Sequence, residues 1–510
     1  MRHFIFQGSK VVNCCSYEFV LLFLPIVLVC LFVGGGRSPR VGSFLLVAAS
    51  LFFYGWWDVH YVPLLFASIV FNYVVGGQLA RYAEGFEIAA GGHVSPDAPH
   101  VRARKGWLFF GIVVNLLLLG YFKYMDFFLG TVNALAGADV FDLPHIVLPL
   151  GISFYTFTQT AYLIDAYRGC AKRHSFLTYL EFVTIFPHLI AGPIINYREM
   201  MPQFLAMENY CICWDNMAKG LALFSMGLFK KVVIADELAP WVQAVFSHAG
   251  ELTFFEGWAG ALGYTLQLYF DFSGYSEMAI GLGLMLNLHF PQNFDSPYQA
   301  KSIIDFWRRW HMTLGLWVKE YLYIPLGGNR AGQLRKLRNL FVSMVLIGLW
   351  HGAGWTFVAW GAMHGLMLMV NHVWRTLQIR LPGVLCWVMT FLGVMVCWVF
   401  FRAADFQAAV NVLAAMTDVH QMVLPEHDLA RWGFLAPLGV MFAPLASGLL
   451  PGRVLPTCLG LLCCALLFKN PVRLVSSFHA NWKWFLLTAT LLVVALYKMD
   501  RYTEFLYFQF

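Results

Sequence analysis

From Leu340 to Val370 the chain runs 31 residues without an Asp, Glu, Lys or Arg, and His351 lies inside that run. As one helix it would extend about 46 Å at 1.5 Å per residue, against about 30 Å of bilayer hydrocarbon. The Gly352-Ala353-Gly354 stretch is where such a run divides, which places His351 at an internal break rather than at a membrane surface. Broken backbone at that depth persists only where protein or a watery cavity surrounds it. An imidazole there is costly and therefore a candidate functional group. Two readings stay open: a core histidine bonded to a carbonyl, or a general base, since imidazole titrates nearest working pH.

The remainder of the chain fits the same solvent. Only 12% of its residues are charged and 59% are hydrophobic, where a soluble domain carries about 25% charged. The expected fold is an all-α polytopic membrane protein with roughly ten to fourteen transmembrane or re-entrant helices around a central tunnel. Further candidate spans are Glu18–Val33, Val41–Trp57, Tyr61–Leu79, Trp107–Phe122, His145–Ile164, Phe176–Ile195, Gly220–Ile234, Phe254–Phe272 and Ser276–Leu288. After the central region come Gly383–Phe401, Trp432–Leu450, Leu455–Phe468 and Trp482–Tyr497. We expect a single membrane-embedded body over 1–510, with a core at 16–400, the 305–354 region within it, and C-terminal helices over 401–510. The net charge of +6 reads as basic cytoplasmic loops, not nucleic-acid binding. Arg37 and Arg40, then Arg81 with Arg102 to Lys105, then Arg168 to Arg173 occupy alternate loops, so the N-terminus is expected outside. The 11 cysteines form no disulfide framework or metal-ligand pattern.

A second histidine, His311, precedes His351 by 40 residues. Read as a helix, Ile303–Tyr321 gathers Phe306, Trp307, Trp310, Leu314 and Trp317 on one stripe, with Asp305, Arg309 and Glu320 opposite. His311 falls on the shoulder, either snorkelling at an interface or acting in a site. Asp271, in Tyr269-Phe-Asp-Phe-Ser-Gly-Tyr-Ser276, either orients a histidine or caps the next helix. Pro325-Leu-Gly-Gly-Asn329-Arg330 is a turn by its Gly-Gly-Asn content. With Arg335, Lys336 and Arg338 behind it, it is either a phosphate-binding loop or a basic cytoplasmic loop. Phe186-Pro-His188 with Gly192-Pro193 breaks a span as a re-entrant segment does.

Taken together, Phe186-Pro-His-Leu-Ile-Ala-Gly-Pro193, Tyr269 to Ser276, Phe306-Trp-Arg-Arg-Trp-His311, Tyr321-Leu-Tyr-Ile-Pro-Leu-Gly-Gly-Asn-Arg330 and Leu349-Trp-His-Gly352 resemble the signature blocks of the membrane-bound O-acyltransferases. Phe401-Arg402-Ala403 and the terminal Phe505–Phe510 are similar to the bacterial alginate O-acetylase branch. The resemblance implies a tunnel entered by an acyl donor from the cytoplasm and an acceptor from the periplasm. It implies His351 as the catalytic histidine and His311 as a second functional one. Asp271, Trp307 and Arg308 then support the acceptor or acyl group, while Asn329 and Arg330 face donor phosphates. No bound cofactor is expected; acetyl-coenzyme A serves as donor substrate. Implied partners are periplasmic acetyltransferases that modify an exported polysaccharide, most simply alginate, at a bacterial inner membrane. Cellulose, peptidoglycan and teichoic-acid-type acceptors remain open. A transporter relaying protons through histidines is a different class; it calls for charges spread over many spans, whereas the ionisable residues here gather near one block. A third class, a scaffold anchoring a periplasmic enzyme complex, would keep acetylation without either histidine.

Overall fold

The computed structural model describes residues 14–89, 99–190, 192–330, 332–445, 451–499 and 506. Among these the chain is helical nearly throughout, and the only strands are Val423–Leu424 and Met441–Phe442, a two-residue parallel pair. The chain forms two compact units: Met1–Phe224 with Met278–Pro291, and Ser225–Glu277 with Gln292–Phe510.

The first unit opens with α1 (Glu18–Gly35), α2 (Pro39–Trp57), α3 (Val62–Ala89) and α4 (Arg102–Ala136). All four elements contain stretches long and apolar enough to cross a bilayer. Leu21, Leu22, Ile26, Val29 and Val33 of α1 are each more than half exposed. A continuous outward apolar face of that kind is stable in hydrocarbon and a liability in water. Pro39 takes the first turn of α2 and the Ser38 hydroxyl accepts from Val41 N–H, so the helix start is set locally.

Inside this unit α3 and α4 are joined by a buried amide pair. Asn72 Nδ2 donates to Asn115 Oδ1 at 3.1 Å, and Asn115 Nδ2 returns the bond to Asn72 Oδ1 at 2.7 Å. Each amide also donates to the carbonyl four residues back, of Ser68 and Gly111, so all four N–H bonds are satisfied. Replacing Asn72 by Leu alone strands Asn115 and should cost about 1 kcal/mol, whereas replacing both should cost less. Thermal unfolding of the single and double variants in detergent measures this; an additive loss would show that the amides do not act as a pair.

The expected span at His145 begins only with α5 (Ile152–Tyr167). The expected span from Phe176 also breaks: α6 (Phe176–Thr184) ends before Ile185, and a single turn at Phe186–Leu189 follows. His188 holds that break, its Nδ1–H donating to the Pro193 carbonyl at 2.7 Å. The bond satisfies a buried carbonyl in a stretch that no regular helix covers. Next is α7 (Tyr197–Leu205).

Then α8 (Trp214–Phe229) passes through a widened turn, Lys230–Ala235, into α9 (Asp236–Ser247). Two spans expected at Phe254–Phe272 and Ser276–Leu288 are one helix, α10 (Phe254–Met285). Gly274 does not break it. The residue is a packing site, where an added Cβ would lie 2.7 Å from the Gly227 carbonyl.

In the second unit the amphipathic helix expected over Ile303–Tyr321 is interrupted into α11 (Ile303–Trp307) and α12 (Met312–Val318). The division expected at Gly352–Gly354 is present, between α13 (Gln333–His351) and α14 (Trp355–Thr376). Then follow α15 (Gly383–Arg402), itself long and apolar enough to span, α16 (Phe406–Ala415), α17 (Pro451–Leu467) and α18 (Trp482–Lys498). The run expected to span from Trp432 is instead a set of turns ending in the second short strand; residues 446–450 lie outside the described part. Gly433, Pro437 and Gly439 interrupt it faster than its apolarity can build a helix. Of the terminal Phe505–Phe510 block, only Leu506 is described.

Candidate active site

His351 is the last residue of α13 and is 4% exposed. The helix it ends packs on α14 backbone to backbone. A Cβ at Gly348 would meet the Phe357 carbonyl at 2.3 Å, and one at Gly361 the Met344 carbonyl at 2.4 Å. That seam draws Trp360 of α14 under the imidazole, 5.1 Å between ring centroids and edge to face. Phe401 of α15 closes another side at 5.3 Å, and Trp350 stands at 5.0 Å. Of the Phe401-Arg402 pair, Phe401 walls the histidine, while Arg402 donates to Gln243. An imidazole lodged among three aromatic rings sits where bulk water is scarce, and there a proton transfer is least diluted by hydrolysis.

His311 is fully buried and stands between α11 and α12 with φ 44° and ψ 53°. This left-handed conformation is rare for a residue with a Cβ and costs about 1–3 kcal/mol. It is why the predicted amphipathic helix divides at this point. Asn293 compensates: its carbonyl accepts from Met312 N–H at 2.9 Å, and its Oδ1 accepts from Thr313 N–H at 3.2 Å and Thr313 Oγ1 at 2.8 Å. His311 Nδ1 lies 3.0 Å from the same Oδ1. Phe272 of α10 packs edge to face on the ring at 4.8 Å.

The two histidines share one aromatic cluster. From His311 it passes through Phe294 to Trp310, to Trp398 of α15, to Phe401 and so to His351, with each successive pair of centroids within 6.5 Å. Trp307 joins this cluster too, donating from its indole Nε1 to His364 Nδ1 at 3.3 Å. His364, in α14, is fully buried, packs edge to face on Trp360 at 4.8 Å and was not singled out from the sequence. The signal was there, as a second imidazole in the uncharged run of residues 340–370.

The other sequence candidates lie apart from the imidazoles by their contacts. Asp271 is within α10 and caps no helix. Its carboxylate is held by Lys231 at 2.9 Å and by the Leu506 N–H at 3.2 Å. Lys231 also pairs with Asp236 at 2.5 Å, and Lys230 with Glu277 at 2.6 Å. Lys231, Asp236, Asp271 and Glu277 are all buried. The expectation that ionisable groups gather in one block is therefore corrected: the widened turn at Lys230–Ala235 carries a second set, paired side chain to side chain. Arg308 ends α11 exposed. Asn329 and Arg330 are exposed on a turn with Gly327 and Gly328 at positive φ, and Asn339 ties that turn to α13 through the carbonyls of Leu326 and Gly328. Arg335 and Arg338 are exposed on the first turns of α13.

A model of the membrane-bound O-acyltransferase family matches residues 139–407, which include both histidines. Among characterised sequences, the peptidoglycan O-acetyltransferase of Helicobacter pylori is 43% identical over 80% of each chain. The probable alginate O-acetylase AlgI of Pseudomonas aeruginosa is 44% identical over 82% of this chain and 77% of its own. The teichoic acid D-alanyltransferase of Streptococcus thermophilus is 27% identical over 44% of this chain and 57% of its own.

Proposed function

Because this chain belongs to the membrane-bound O-acyltransferase family, we propose that it takes acetyl groups from acetyl-coenzyme A at the cytoplasmic face of a bacterial inner membrane and passes them to a hydroxyl destined for an exported polysaccharide. The observation that carries this reading is His351, buried at a helix break against Trp360 and Phe401. The acceptor oxygen attacks the thioester carbonyl carbon while His351 takes the hydroxyl proton. The carbon–sulfur bond then breaks, and the departing thiolate receives that proton, giving an acetyl ester and free coenzyme A thiol. His311, with Trp307 and Arg308 beside it in sequence, orients the acceptor. The exposed side chains of Asn329 and Arg330, backed by Arg335, Lys336 and Arg338, take the donor's phosphates. Asp271 is assigned to the scaffold rather than to substrate, since Lys231 already neutralises it.

Alginate is the first proposed end acceptor, reached through periplasmic acetyltransferase partners. Peptidoglycan is the second, favoured by the equally similar Helicobacter relative. The test is purified protein with acetyl-labelled coenzyme A, offered alginate oligosaccharide or peptidoglycan fragments with and without periplasmic extract. Label should reach one polysaccharide. Label that never leaves coenzyme A under any of these conditions overturns the proposal.

A further inference from the structure

We propose that Asn293 is a positioning residue that locks the His311 imidazole with its proton on Nδ1, so that Nε2 faces the acceptor as a lone pair and grips a second O–H or N–H beside the attacking hydroxyl. The nature of the gripped group rests on the acyl-transfer reading above; the place of the proton does not.

An asparagine amide can be turned either way, and its neighbours decide which end is oxygen. Here the decision is made by main chain. Thr313 N–H, 3.2 Å away, can only donate, so the atom it meets is Oδ1. The Thr313 hydroxyl reaches the same atom at 2.8 Å. An imidazole nitrogen 3.0 Å from that oxygen must then be the donor, because a lone pair there would face another lone pair. Asn293 cannot turn to offer its NH₂ instead without stranding Thr313 N–H, and its own carbonyl is held by Met312 N–H. Burial against Phe272 and Phe294 pushes the His311 imidazole well down from its usual value, so the ring is neutral and Nε2 carries the lone pair. Of the charged side chains on the surrounding elements, Asp271 pairs with Lys231, Glu277 with Lys230, Asp305 with Arg309 and Asp295 with Arg473, Glu256 accepts from Thr253, and Arg308 is exposed.

A lone pair accepts and cannot donate. It repels an acyl carbonyl and attracts a hydroxyl or amide N–H. His311 is thereby assigned to the acceptor side of the reaction and not to the acetyl oxygen. The proton of the attacking hydroxyl is left to His351, and a neighbouring donor on the acceptor is what His311 holds.

The first readout needs no activity. Nitrogen NMR of protein labelled at histidine, with the His311→Asn spectrum subtracted, should show Nδ1 protonated and Nε2 bare; the opposite pattern overturns the lock. The second readout is kinetic. Asn293→Leu removes the oxygen and should raise KM for the acceptor about 10–100-fold, the effect of losing one buried hydrogen bond, while KM for acetyl-coenzyme A stays put. Asn293→Asp keeps an oxygen on Nδ1–H, so it should retain the wild-type tautomer and rescue most of the acceptor KM. Its carboxylate also favours the protonated ring, so the acid limb of the acceptor kcat/KM profile should move to higher pH. A leucine variant with wild-type acceptor KM, or an aspartate variant with an unmoved profile, overturns the proposal. Wild-type protein that transfers nothing would sink the functional reading, with the NMR result still deciding the tautomer.

Discussion

Replacing His351 by alanine is expected to remove acyl transfer while leaving the protein at its normal level in the membrane. Loss of a general base lowers a rate about 10²–10⁴-fold, which here takes transfer to the background of the assay. The protein should persist because the contact between α13 and α14 is made by backbone at Gly348 and Gly361, not by the imidazole. His351→Gln, which keeps bulk and hydrogen-bonding but cannot take up a proton, should be as inactive as alanine. The measurement is label moved from acetyl-coenzyme A in membranes matched for protein amount. Retained transfer in either variant would end the assignment of His351 as base.

The largest loss of stability is expected at Lys231. Its ammonium stands between the carboxylates of Asp236 and Asp271, all three buried. Lys231→Met leaves two carboxylates facing each other in a low-dielectric interior, a change that typically costs about 3–5 kcal/mol. For a membrane protein of ordinary stability that should appear as sharply reduced yield and early loss of the folded fraction on heating in detergent. Converting the carboxylates as well, to Asn at 236 and 271, should recover most of the loss, since no bare charge then remains. A lysine variant as stable as wild type would mean that the cluster is hydrated and not a structural ion pair.

Much of this molecule is legible along the chain because hydrocarbon imposes a simple rule on composition. The length of the uncharged run about His351 announced a break, and Gly352 and Gly354 marked where the helix had to divide. Apolar averaging failed at Trp432, where Gly433, Pro437 and Gly439 deserved more weight than the leucines around them. Helical periodicity put His311 on the shoulder of a stripe but carried no information about its φ. That conformation is held by bonds to Asn293, 18 residues earlier in the sequence and invisible to any local pattern. The Lys231–Asp271 pair joins residues 40 apart in sequence, and each charge alone resembles the ordinary end of a span. Nothing beside Asp271 in the sequence points to Lys231, so the pairing that holds its carboxylate is not legible locally. His364 has no polar neighbour along the chain, because its partner, Trp307, comes from another helix.

The left-handed turn at residue 311 means that mutational data from the two imidazoles will not share a common scale. Alanine at 351 ends an ordinary helix in ordinary geometry and subtracts a side chain. Alanine at 311 inherits a backbone geometry it dislikes and discards the bond to Asn293 that helped to hold it, so its phenotype mixes chemistry with misfolding. Asparagine tolerates that geometry far better, and so is the fairer probe of what the second ring contributes.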